Sequence, residues 1–317
     1  MKRFISIAIS LTILAIIYWR IDFNQLVQTL GNSDGRWMIV AVGMVIPLTL
    51  FTAWRLQQLM PTGNSLGFGE ANRLILAASG LNMVLPSKMG DIAKAYFMQR
   101  RGHLEGSLAL SLVVFEKTSD MLSLLLWCVF GLTLYPKKDW FFWLLTAIVV
   151  LGLLLGFLLL GSRRFARLFF SVGQRIAPEK HIGKLEKLQV SWLEMLDYFW
   201  RDKVQLTKIW LTSIFIWFLH LLQIWFFILA LKAWTPFLIN LALAPLAILV
   251  GLLPLTFAGV GTRDAAILLF YQPYLSAPTA AALGLLFTLR YLLPAIGGLP
   301  FLGQYTVRPT VQGTRFN

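Results

Sequence analysis

Long apolar runs, separated by short and mostly basic connections, dominate this chain. Six are unbroken and of bilayer-spanning length, at roughly 4–20, 36–54, 107–134, 139–160, 209–231 and 278–299. About 20 helical residues cross ~30 Å of hydrocarbon, because a helix rises ~1.5 Å per residue. Two further runs are interrupted. One covers roughly 71–99 and breaks between Pro86 and Gly90. The other covers roughly 238–272 and breaks between Pro254 and Gly261, with Pro245 as an extra irregularity. The pattern predicts an all-α polytopic integral membrane protein, with six full spans and two re-entrant broken-helix segments in a single transmembrane domain, 1–317.

Composition sharpens this picture. The chain is 58% hydrophobic and 13% charged, outside the range of ordinary soluble domains. A net charge of +14 raises the question of nucleic acid, but the basic residues punctuate apolar runs instead of forming a folded basic surface. No nucleic-acid partner is expected; membrane lipids with anionic headgroups are. The one cysteine, Cys128, excludes an intramolecular disulfide. Lys2-Arg3 followed by an apolar run to Ile17 resembles a signal peptide. No small-residue cleavage site follows, however, and Tyr18-Trp19-Arg20 reads as an interfacial anchor, so a retained first helix is expected.

Charge bias gives the orientation. If both interrupted segments return to their own side, 20 of the 28 Lys and Arg residues fall on one side of the membrane and 6 on the other. Lys117 and Arg290 lie within spans. The positive-inside rule then predicts a multi-pass protein of the inner (cytoplasmic) membrane with both termini cytoplasmic. Residues 162–208 form the main extramembrane stretch. In it Leu185, Leu188, Trp192, Leu196 and Phe199 recur at helical spacing, which predicts a cytoplasmic amphipathic helix in the interface, either as a linker or as a docking site. The two halves also echo each other. Asp91 precedes Glu116 by 25 residues and Asp264 precedes Arg290 by 26, with the two breaks on opposite sides as an inverted repeat requires. The spacing inside the breaks differs, being 5 residues from Pro86 to Asp91 and 10 from Pro254 to Asp264.

Backbone freed by a Pro or Gly break must face protein or water, because unpaired amides in hydrocarbon cost several kcal/mol each. In NMVLPSKMGDIAK, Pro86 ends a half-helix, Gly90 lets the chain turn, and Asp91 is positioned to cap a helix carrying Lys94 and Arg100. The plainer reading is a helix end in an ordinary loop. In VVFEKTSDMLSL, Glu116 and Asp120 are four apart and share a face, with Lys117 about 100° round the helix. Charges at that depth need partners. Arg290, the basic residue within its span, is the expected one. A buried network that merely fixes helix packing is the alternative. Arg290 with Lys117 suits a phosphate or carboxylate headgroup. In FAGVGTRDAAILLF, Gly259 and Gly261 precede a short helix whose bare N-terminal amides, reinforced by Arg263, make an anion site. The three histidines, His103, His181 and His220, are far apart, and there is no Walker-type loop or nucleophile elbow. No metal, no cofactor, no assigned catalytic residue and no ATP hydrolysis by this chain are expected.

Asn82, Leu85-Pro86, Gly90-Asp91, Lys94, Arg101-Gly102, Ser111, Glu116-Lys117, Asp120, Gly259-Val260-Gly261, Arg263-Asp264 and Arg290 together resemble the transmembrane region of lysylphosphatidylglycerol synthases, the flippase-like or UPF0104 membrane family. Lys stands at 94 and 117 where Arg is commoner, and Asp264 stands where Glu is usual. The resemblance implies an eight-segment membrane domain with re-entrant helices that flips anionic or aminoacylated lipids. Full-length synthases append a cytoplasmic aminoacyl-transferase domain. This chain ends at Asn317 without one, so a stand-alone module is expected, with no lysyl transfer of its own.

The expected function is a lipid translocase (flippase) for an anionic phospholipid or lipid-linked intermediate. Its headgroup site would draw on Arg290, Lys117, Glu116, Asp120, Asp91, Lys94, Asn82, Arg263 and Asp264, gated at Pro86, Gly90, Pro254, Gly259 and Gly261. The alternative is a membrane enzyme or accessory subunit in phospholipid or polyprenyl-lipid modification or glycosyl transfer, with Asp91, Glu116 or Asp120 as base. A third reading is a scaffold whose 162–208 segment recruits a transferase partner.

Overall fold

A computed structural model of the chain describes residues 2–61, 66–84, 90–101, 104–135, 138–253, 256 and 259–306. Among them the secondary structure is helical throughout. Helix α1 (Lys2–Arg20) leads into short α2 (Phe23–Gly31), then α3 (Gly35–Gly43) and α4 (Val45–Leu59). Asp22 and Asp34 start α2 and α3 by accepting hydrogen bonds from Asn24 N–H at 2.9 Å and Arg36 N–H at 2.8 Å. The α3–α4 pair forms one apolar stretch, Gly35–Leu59, long enough to cross a membrane. It runs five residues past the expected end at 54 and so takes Arg55 inside the helix.

The first interrupted segment forms α5 (Phe68–Val84) and α6 (Gly90–Arg100), packed against each other as a helical hairpin. Pro86 lies outside the described residues. Gly90 is where the arms touch. A Cβ there would sit 2.3 Å from Ala78 O and 2.6 Å from Asn82 N, which no side chain tolerates. The long helix α7 (Gly106–Leu134) follows, then α8 (Trp140–Gly161), capped by Asp139.

The 162–208 region is two helices instead of one, α9 (Arg163–Ile176) and α10 (Glu179–Arg201). The stripe of Trp192, Leu196 and Phe199 is buried in protein, with Phe199 stacked on Phe115 of α7 at 4.7 Å. An apolar stripe reads the same from sequence whether it meets lipid or a neighbouring helix, and here it meets α7. The exposed apolar face belongs to α9, through Leu168, Phe169, Val172 and Ile176.

Helix α11 (Lys203–Ala230) precedes the second hairpin, α12 (Phe237–Leu252) and α13 (Thr262–Tyr271), and α14 (Ala277–Thr306) closes the described chain. Helix α12 runs through Pro245 without breaking. Pro254 lies outside the described residues. By length and composition, Trp140–Gly161, Lys203–Ala230 and Ala277–Tyr305 join Gly35–Leu59 as clear spans. Of the other two expected spans, α7 has 29 residues but carries three charges, and the apolar part of α1 is the shorter Ala8–Ile17.

The hairpins open from opposite ends of α7. At its N-terminal end the base of the first hairpin is close, since a Cβ on Gly106 would lie 2.7 Å from the Gln99 side chain. At its C-terminal end Tyr135 meets Phe270, at the base of the second hairpin, with centroids 5.8 Å apart. Each hairpin also packs its outer arm on the long helix of the other half. Helix α5 lies along α14 where Gly80 faces Ala295, and α12 lies along α7 where Gly131 faces Ala242. One hydrophobic cluster surrounds each hairpin, and α7 contributes to both.

Candidate functional site

The i, i+4 spacing aims Glu116 and Asp120 at α4, and there both carboxylates meet Arg55. Arg55 Nη2 donates to Glu116 Oε1 at 3.0 Å and to Asp120 Oδ2 at 3.2 Å. Its Nη1 donates to Asp120 Oδ1 and, at 3.0 Å, to Ser213 Oγ on α11. Lys94 of α6 donates to the second oxygen of Glu116. Lys117, turned away round the helix, reaches Asp91 Oδ2 at 3.2 Å and Asp120 Oδ2 at 3.6 Å. Three cations thus meet three carboxylates across α4, α6 and α7. Glu116 and Ser213 each lie ten residues inside their helices, ~15 Å along the axis. At such depth an unpaired charge costs at least ~2.5–3.5 kcal/mol, which the mutual pairing offsets.

Several expectations change. Glu116 and Asp120 are held by Arg55, Lys94 and Lys117, and Arg290 makes no ion pair among the described residues. Asp91 sits in the first turn of α6, and its carboxylate serves Lys117 across the helix pair. Lys117 is 44% exposed while Lys94 and Arg55 are buried, so the network has one accessible cation rim and a closed interior. Asn82 lies beside Gly90 near the turn of the first hairpin, its buried Oδ1 without a hydrogen-bond partner.

Around the second break, Gly259 and Gly261 adopt φ of +75° and +99°, a left-handed region that favours glycine. Asp264 Oδ2 accepts from the Gly261 N–H at 2.8 Å, which satisfies the amide of the N-cap residue, while among the described residues no side chain caps the first-turn amides of α13. Gly284 makes room for this carboxylate, since a Cβ there would lie 2.6 Å from Asp264 Oδ1. Arg263 is buried too, donating to Asp264 at 3.1 Å, Gly284 O at 3.3 Å and Thr288 Oγ1 at 2.9 Å.

Arg290 is 3% exposed. On α14 it lies between Gly284–Thr288, met by the second hairpin, and Ala295–Gly298, met by the first. Its guanidinium carbon sits 5.2 Å from the centroid of Phe287 and 4.7 Å from that of Tyr291, and Nη2 donates to Tyr291 Oη at 2.6 Å. Arg263 lies over the same Phe287 ring at 5.3 Å. The predicted residues therefore fall into two groups, a neutral network around α7 and a cationic one around Phe287. Among the described residues no group of three or more His, Cys, Asp or Glu could hold a metal ion.

Sequence reading missed Arg55. The apolar run ends at Trp54, so Arg55 resembles an interfacial residue. The signal available was the helix-compatible RLQQL that follows.

Opposed helical hairpins around buried charge define a multi-pass membrane protein. A sequence profile for the family described as Lysylphosphatidylglycerol synthase TM region matches residues 3–298. The chain belongs to that family, whose name places it among membrane proteins of lipid modification or transport. No curated protein matches the chain.

Proposed function

We propose that this protein is a translocase that carries a lipid with an anionic headgroup between leaflets, without ATP hydrolysis by this chain. The observation that carries the reading is the position of Arg290, deep in α14 between the levels reached by two hairpins that open from opposite ends of the molecule. A site flanked by two such elements can open to one side while closed to the other, the geometry alternating access requires. Arg290 is the headgroup anchor, Lys117 offers first contact at an accessible rim, and Glu116 and Asp120 hold the α7 face in register. The basic connections 161–208 and both termini then face the cytoplasm, in the inner membrane.

Purified protein in liposomes with a fluorescent anionic phospholipid tests this. Wild type moves label between leaflets in a dithionite assay, and Arg290→Ala lowers the rate at least tenfold. Equal rates for the two proteins overturn the reading.

A further inference from the structure

Helix α9 has three faces. Ala166 and Phe170 are buried against the protein, Leu168, Phe169, Val172 and Ile176 form an exposed apolar sector, and the exposed Arg164, Arg167 and Arg175 follow round the helix. It starts directly after α8, a clear span, ends at Gly161. A helix so built lies along the membrane surface, its apolar sector among acyl chains and its arginines at the headgroups. Beneath it, where α7, α8, α9 and α10 meet, is a cavity of about 210 Å³ with Val114, Leu159, Phe170, Gly173, Leu188 and Trp192 in its wall. The described wall is apolar except at Trp192, whose buried indole N–H has no hydrogen-bond partner. Phe169 belongs both to this wall and to the exposed sector, at 55% exposure, so the cavity reaches the lipid-facing surface.

A dry apolar cavity of about 150 Å³ already binds benzene, so this one has room for a short length of hydrocarbon chain. Water fits poorly, because it needs about two to four polar partners and the wall offers a single N–H. We propose that the cavity holds one acyl chain of a bilayer phospholipid, with the ester carbonyl of that chain accepting the Trp192 N–H. Depth supports this occupant. The 22-residue α8 matches a hydrocarbon core ~30 Å thick, and Leu159 lies two residues from its end, ~3 Å along the axis, where hydrocarbon gives way to ester groups. A free fatty acid would bring a carboxylate to the same place, and no cation lines the wall to receive it. With no ionised side chain there, the site selects chain and ester and is indifferent to the headgroup. The lipid so held is a fixed part of the fold beneath α9, apart from Arg290 and the charged network of α7, and its binding does not depend on translocation.

The test is photocrosslinking of the full chain in nanodiscs that contain phosphatidylcholine or phosphatidylglycerol with a diazirine on one acyl chain, or diazirine-bearing palmitic acid as a separate arm. Crosslinked positions are read by mass spectrometry after digestion. Wild type should crosslink at Leu188 and Trp192 with both phospholipids to within about twofold, and at least fivefold more than with the free acid. A Cβ at Gly173 meets nothing within 4 Å, so Gly173→Leu fills the cavity without a clash. That variant should lose crosslinking at Leu188 and Trp192 at least fivefold, while the exposed Leu154 and Leu155 of α8 stay labelled as in wild type. Leu188→Phe fills the same space from α10 and should lower the Trp192 crosslink alike, which keeps the test open if either variant folds poorly. Trp192→Phe keeps an aromatic ring, loses the donor and should retain the chain severalfold less well. Gly183→Leu, on α10 with nothing nearby, should match wild type. Equal crosslinking by wild type and Gly173→Leu, no loss in Trp192→Phe, a fivefold preference between the headgroups, or stronger labelling by palmitic acid overturns the inference. So does a dimer in native mass spectrometry that Gly173→Leu abolishes, since a second copy would then fill the cavity.

Discussion

Arg55 of α4 and Glu116 of α7 share a 3.0 Å ion pair in which each side chain is only 1% exposed. The same guanidinium holds Asp120 and Ser213, so one side chain ties α4, α7 and α11 together. Pairs of this kind add little over an apolar core, but they are costly to break singly, because the surviving partner is left charged in a dry interior.

Lys94 and Glu116 test that asymmetry. Lys94→Met leaves Glu116 short of one cation, and Glu116→Gln leaves Lys94 without its carboxylate. Each should cost about 3–5 kcal/mol. The double variant removes one charge of each sign and keeps the remaining network neutral, so it should cost less than the two singles added, by roughly 0.5–3 kcal/mol. Unfolding midpoints in mild detergent check the cycle. Strict additivity would mean that the two groups are not coupled.

Lys117 should behave otherwise, although it lies in the same network. At 44% exposure its ammonium is more accessible than that of Lys94, at 1%, although its partners Asp91 and Asp120 are mostly buried. Lys117→Gln should thus lower the midpoint by less than Lys94→Met. Equal losses at the two positions would show that the exposed rim is in fact dry.

Gly90 governs how the first hairpin closes. In Gly90→Ala the new methyl meets backbone atoms of Ala78 and Asn82, with no flexible side chain to give way. The arms must separate, at a cost of about 1–3 kcal/mol. Gly183→Ala on α10, where nothing lies within 4 Å, should instead gain roughly 0.5–1 kcal/mol from helix propensity. Limited proteolysis and thermal melts distinguish the two, and a harmless Gly90→Ala would mean that the arms do not touch.

Much of this architecture is legible in the chain. Breaks at Gly90 and Gly259–Gly261 stand out because small residues interrupt otherwise apolar runs, and the charged triplet on α7 stands out because hydrocarbon makes charge expensive. Partner choice is not legible. Glu116 selects Arg55 over Arg290 through helix packing between α4 and α7, which no local spacing encodes. The bond from the Gly261 N–H to Asp264 is likewise a matter of geometry, since another rotamer of the same residue would leave that amide free. Burial of the α10 stripe against α7 follows the same rule: periodicity shows that a face is apolar and is silent on what covers it.

Opposed hairpins make a prediction that is independent of lipid chemistry. Gln99 at the base of the first hairpin and Gln272 just past the second are both exposed, at opposite ends of α7. In cells carrying single cysteines at these positions, a membrane-impermeant maleimide should label Gln272→Cys from outside and reach Gln99→Cys only after permeabilisation, since charge bias puts the basic end inside. Cys128 is buried and should stay silent, so a Cys128→Ala background is a check and not a necessity. Labelling of both positions from one side would mean that the two segments do not enter from opposite leaflets, and the alternating-access geometry would lose its footing.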